Sequence, residues 1–144
     1  MSSAREAAFK VLFAHLVHAS PLWEGRVQPQ AVASSGLQRP YVLFFMASGG
    51  RAPSVPSRHK ATVVVSVKGV ANEMATALAI EAEITALLHN SGTQDIDPRL
   101  PSHPEWEILT VSEDRAIDLH EKFAGAQDIY HAGHQYRLLM ERRA

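Results

Sequence analysis

Residues 59–90, HKATVVVSVKGVANEMATALAIEAEITALLHN, decide the fold. Ala61, Val63, Val65 and Val67 alternate with Thr62, Val64 and Ser66. A period of two, written in Val and Thr, predicts a strand with one strongly apolar face. Gly69 is expected to end that strand, and Asn72 to cap a following helix by accepting from an orphan N–H of its first turn. Ala77, Ile80, Ile84, Leu87 and Leu88 then recur on one helical face, while Glu73, Glu81 and Glu83 lie toward other sides. Gly92 is expected to stop the helix. A strand with one apolar face leading into an amphipathic helix predicts that the helix lies back on its own sheet.

Working outward, residues 3–18 also read as a helix, with Ser2 or Ser3 as its cap and Phe9, Leu12, Phe13, Leu16 and Val17 at helical spacing. Ser20 and Pro21 stop it. Trp23, Gly25 and a short extended piece, Arg26 to Pro29, follow, and 33–36 read as a turn. A second strand, Tyr41 to Met46, is apolar on both faces, so it is expected to lie centrally or to be covered on both sides. Residues 48–58 (SGGRAPSVPSR) form a basic, Gly- and Pro-rich loop between two strands. Residues 91–105 hold three prolines without periodicity and read as an exposed loop. Trp106, Ile108 and Thr110 alternate with Leu109 and Val111 as a third strand. Beyond it, either the strand continues through 115–122 or a short helix covers Glu113 to Phe123. Gly125 marks a turn, and the last strand covers Gln135 to Met140, with a possible start at Ile129 and a solvated end at Arg142 and Arg143. Hairpin-length joins predict an α+β fold: a mainly antiparallel sheet with two principal helices packed on one face.

At 144 residues, 46% hydrophobic and 20% charged, the chain is expected to form a single domain, 1–144, with a sizeable core. No apolar run approaches the ~20 residues that span a bilayer, and the start does not read as a signal peptide. The sequence contains no cysteine, which excludes disulfides, zinc–thiolate sites and cysteine nucleophiles. A net charge of −1 gives no overall attraction to nucleic acid or anionic membrane.

Eight histidines invite a metal reading. His15 and His18 share a face if helical. His131 and His134 face opposite sides of a strand unless a turn at Gly133 bends it. No HExxH frame supplies a third ligand, so surface or interface histidines are the preferred reading. Glu113, Asp114, Asp118 and Glu121, with His120, could support acid–base work, but Arg115 and Lys122 interleave them as on a solvated face. Ser34, Ser35 and Ser48 lack a nucleophile-elbow setting, and Ser48–Arg51 lacks the helix and Lys of a phosphate loop. Trp23, Trp106, Tyr41, Phe44 and Phe45 read as packing residues. Arg51, Arg58 and Arg99, on the two long loops, are the candidates for contact with a partner subunit.

The order of elements carries a family resemblance. Gly25-Arg26-Val27-Gln28-Pro29 follows the first helix, and Arg39-Pro40-Tyr41-Val42-Leu43-Phe44 opens the second strand. The Val-rich strand and the Ala75–Leu88 helix come next, and Tyr130-His131-Ala132-Gly133-His134-Gln135-Tyr136-Arg137-Leu138-Leu139-Met140-Glu141 ends the chain. This pattern resembles the tail terminator, or tail-to-head joining, proteins of long-tailed bacteriophages. The resemblance implies a non-catalytic subunit without cofactors, forming a ring, usually hexameric, on the last ring of tail tube protein. It implies that the ring ends tube polymerisation and offers a joining surface to the head–tail connector protein. It implies a place at the head-proximal end of the virion tail after assembly in the host cytoplasm, with DNA passing through the lumen unread and no membrane contact. The alternatives are another connector or neck protein, a tail tube protein, or a small enzyme built on the His and acidic clusters.

Overall fold

The structure, a computed structural model, describes residues 3–29, 39–50, 60–89, 100–121 and 128–143. Helix α1, Ala4–Leu16, precedes strands β1, Val27–Pro29, β2, Tyr41–Gly50, and β3, Lys60–Ala71. Helix α2, Met74–Leu88, leads to β4, Trp106–Glu121, and β5, Ile129–Arg142. The five strands lie in the order β1-β2-β3-β5-β4, parallel only between β1 and β2. The α+β expectation holds, and both helices share one face of the sheet.

The alternation in β3 sets that face. Val63, Val65 and Val67 are fully buried, as are Val42 and Phe44 of β2 and Tyr136, Leu138 and Met140 of β5. From the helices come Ala7, Ala8, Val11, Leu12 and Leu16 of α1 and Ile80, Ile84 and Leu88 of α2, all in the same cluster. Each such aliphatic side chain taken out of water contributes about 1.5–3 kcal/mol. The doubly apolar reading of β2 also holds, since Tyr41 and Leu43 cluster with Val70, Phe45 and Ile129 away from the helices. β2 is nevertheless second from the sheet edge, with β1 beside it only from Val42 to Phe44.

Ser3 caps α1, its hydroxyl accepting from the Glu6 amide at 3.1 Å. The other end is closed by Trp23, whose indole N–H donates to the Leu16 carbonyl at 2.7 Å. Gly25, at φ 73, then turns the chain into β1. Arg26 holds the turn by donating to the carbonyls of Pro40 (2.7 Å) and Leu22 (3.1 Å).

Several boundaries differ from the sequence reading. Gly69 does not end β3. It lies inside the strand because α2 leans on it: a Cβ there would sit 2.6 Å from Ile80 Cγ2. Asn72 does not cap α2. Its Oδ1 accepts from Arg39 Nε at 2.6 Å, and Glu73 holds the cap position without a side-chain bond. α2 ends at Leu88, with His89 as its C-cap, and Gly92 lies outside the described residues. The 113–123 ambiguity resolves to strand as far as Glu121. A register shift between Ile108 and Thr110 resets the alternation of β4, so Val111, and not Thr110, joins Ile108 in the core. β5 starts at Ile129, the earlier of the two starts the sequence allowed, so Gly133 lies within it and no turn brings His131 and His134 to one side; Ser48 to Gly50 continue β2. Arg142 and Arg143 are not simply solvated. The Arg142 guanidinium lies 4.6 Å from the centre of the Trp106 ring, and Arg143 Nε donates to the His103 carbonyl at 2.8 Å.

Candidate assembly surfaces

Arg51, Arg58 and Arg99 lie outside the described residues, as do Ser34, Ser35, Lys122 and Gly125. The side chains of Ser48, Asp118, His120 and Glu121 are likewise outside the description, and the candidates that remain are spread over the fold. His15 Nε2 lies 3.3 Å from the Leu87 carbonyl and ties α1 to α2, whereas His18 lies beyond the helix end and pairs with Glu24. They do not form a site. Glu113 and Asp114, adjacent on β4, take different partners: His134 at 2.9 Å and Arg137 at 3.2 Å. Among the described residues, no group of three or more His, Asp or Glu side chains could hold a metal ion. None of their helices is long and apolar enough to cross a membrane.

One polar cluster forms where the C-terminal half of α2 meets β4 and β5. His134 Nε2 faces Glu113, and its ring meets Tyr136 edge-on at 6.0 Å. His134 Nδ1 is buried without a hydrogen-bond partner, so the polar contact of the ring runs through Nε2 to the carboxylate. The Glu113 amide donates to His89 Nδ1 at 3.2 Å, fastening the end of α2 to β4. The Tyr136 hydroxyl and Thr85 Oγ1 are 3.0 Å apart. Burial pushes the Tyr136 phenol up to about 12; the Thr85 hydrogen bond opposes this, and the charges of Glu113 and Glu81 add to it.

That phenol links stability to pH at the alkaline end. The fold favours its neutral form, so the stabilisation is complete below the unfolded value of about 10 and is lost as pH rises through the folded value of about 12. A two-unit difference corresponds to roughly 2–3 kcal/mol. Urea denaturation between pH 9 and about 12 should show that loss in the native chain and a flatter profile in Tyr136→Phe. Equal slopes for the two would mean that the phenol is not held neutral by the fold.

Two apolar surfaces stand apart from this cluster. The first is the outer side of α2. Met74 and Leu78 are 37% and 45% exposed, the exposed large hydrophobics among the described residues. Ala75, Ala79, Ala82 and Ala86 are exposed beside them; Glu83 is the only exposed charge in that arc, and the half-buried Glu81 borders it next to Leu78. The helix is therefore apolar on its outer as well as its inner side, contrary to the amphipathic expectation. The sequence held the signal, since only Glu81 and Glu83 are charged between Met74 and Leu88. The second surface is an open groove of about 230 Å³ lined by Arg5, Phe9, Phe44, Phe45 and Met46. It lies where β2 runs past the end of its pairing with β1, and the Phe9 ring stacks on Phe44 at 5.4 Å.

The motif residues behind the family resemblance are mostly fold-bearing. Gly25 and Arg26 make the turn into β1. Arg39 holds Asn72. Gly133 lies hard against Val67 and Lys68 of β3, and Tyr136 and Met140 are core.

The fold defines a class: one α+β sheet with both helices on the same side. That class is shared with a chain of the virion of a native gene transfer agent particle, at a TM-score of 0.69 and 17% identity, covering 98% of this chain and 99% of that one. A second solved structure aligns over 99% of this chain and 98% of its own, at a TM-score of 0.54 and 12% identity. No family model and no curated protein matches the chain.

Proposed function

We propose that the chain is a structural virion protein of the tail-terminator kind. It closes into a ring, hexameric by the family resemblance, on the head-proximal end of a phage tail tube. The ring ends tube polymerisation and gives the head–tail connector its joining surface, with DNA passing through the lumen. The observation that carries this reading is the whole-length likeness to a chain of a virion particle, in a sequence whose order of elements resembles tail terminators. The role is one of contact and needs no cofactor or catalytic group. Each subunit would use two different surfaces, one toward each neighbour, because a rotation that returns to its start gives a finite ring. Arg51, Arg58 and Arg99 remain proposed contacts to the ring neighbour, the tube protein or the connector.

Light scattering of the purified protein across concentration and salt tests the reading. A closed species of about six subunits is the expected result, alone or once tail tubes are supplied. A protein that stays monomeric and also fails to bind terminator-free tubes would sink it. A monomer that binds the connector but not the tube would transfer the assignment to a neck protein.

A further inference from the structure

We propose that the outer face of α2 on one subunit seats in the groove between α1 and β2 of the next, so that these two surfaces form the repeating contact of the ring. The inference rests on the ring reading above and names the residues that would close it. An isolated helix facing solvent normally carries polar residues on that side, and one that is apolar all round is normally covered. α2 presents Met74, Leu78 and four alanines outward, with Glu83 the only exposed charge among them and the half-buried Glu81 at the edge. Alanine allows close backbone approach, and Met74 and Leu78, one helical turn apart, form two knobs on a flat surface.

The groove offers the complementary shape. Its lining is aromatic and thioether, from Phe9, Phe44, Phe45 and Met46. Its volume of about 230 Å³ exceeds that of the ~150 Å³ apolar cavity known to accept benzene, so a Leu or Met side chain fits. The charges also match in sign. Arg5 stands on the groove, and Glu73 and Glu83 flank the α2 knobs. Among the described residues none of the three has an ion pair. A rim pair of this kind sets register and partner choice more than affinity.

Position decides the symmetry. α2 lies over β3, β5 and β4, whereas the groove is built from α1 and β2. The two surfaces are different patches on different parts of the sheet. A contact between unlike patches is heterologous, and it yields rings when the rotation closes. A contact of α2 with α2 would instead be isologous and would stop at a dimer.

The natural absence of cysteine makes the test direct, because each introduced thiol is unique. Leu78→Cys and Met46→Cys, each at a side chain with some exposure, are made separately, mixed and treated with a short bis-maleimide. Covalent dimer is expected in the mixture at a yield at least about tenfold above either variant alone, and Leu78→Asp, in the otherwise native chain, should abolish self-assembly without loss of the circular dichroism melt. A predominance of 78–78 dimer overturns the proposal in favour of an isologous contact. A native ring that forms without the 46–78 cross-link, or a Leu78→Asp ring that persists but no longer binds tubes, overturns it and leaves the ring reading standing. In the doubly substituted chain, Leu78→Cys with Met46→Cys, cross-linked ladders that lengthen without closing support the contact and remove the ring. A native chain that neither assembles nor cross-links, with tubes present, overturns both.

Discussion

Gly133→Ala should abolish stable folding, although it adds a single methyl group. A Cβ at this position would lie 2.2 Å from the Val67 carbonyl oxygen and 2.5 Å from both Cα and Cβ of Lys68. These are mainly backbone atoms of the neighbouring strand, so no side-chain rotation relieves the contact. Gly133 faces Lys68 on β3 and Ile117 on β4, so three strands meet there. Relief requires β5 to move away from β3, which breaks ladder hydrogen bonds, or to slip in register. A slip by one residue would turn Tyr136, Leu138 and Met140 out of the core. We expect a loss above about 4 kcal/mol, the range reached only by severe packing or backbone conflicts. That is a large part of the 5–15 kcal/mol, roughly, that holds a typical domain together. Urea denaturation monitored by tryptophan fluorescence gives the number if the variant is soluble; expression in the insoluble fraction gives the same answer. A native-like midpoint would mean that β3 and β5 can separate at Gly133 without cost.

The same position shows where a sequence stops being legible. Nothing near Gly133 in the run Tyr130–Gln135 says why it is glycine; the reason lies on a strand more than sixty residues earlier. Gly69 is another case: the side chain that fills its missing Cβ belongs to α2. Asn72 had the chemistry of a cap but is held by Arg39, and the β4 bulge hid that Val111 and not Thr110 faces the core. By contrast, the Val alternation of β3, the inner stripe of α2 and the Ser3 cap depend on neighbours within a turn or a strand step, and all appear as expected. The candidate surfaces divide in the same way. The apolar outer side of α2 is written in fifteen residues with two acidic side chains and no basic one. The groove could not be read, because it joins Arg5 and Phe9 to residues 44–46, on an element far along the chain.

Trp23→Ala should cost about 3–5 kcal/mol, the usual range for emptying a buried aromatic site. Trp23 heads the largest fully buried side chains and packs in the cluster that joins α1 to β1, β2 and β3. Its indole also donates to the Leu16 carbonyl, one of the orphan acceptors at the C-terminus of α1. Ala19 donates to that carbonyl as well, at 3.1 Å, so the loss of the indole bond leaves the acceptor partly served. Trp23→Phe separates the two contributions. It keeps an aromatic ring in the site but cannot donate, so it should lose about 1 kcal/mol for the hydrogen bond, plus a smaller packing loss than the alanine variant. Thermal melts of the three proteins test this ordering, and a phenylalanine variant as damaged as the alanine one would give the hydrogen bond the larger share. The effect reaches assembly through α1. That helix supplies Arg5 and Phe9 to the groove, and Trp23 holds its C-terminal end against the sheet. Trp23→Ala should therefore lower self-association below its melting temperature, whereas Trp23→Phe should leave it near the native level. If both variants assemble normally while folded, the seating of α1 does not control the groove, and the contact must draw its strength from β2 alone.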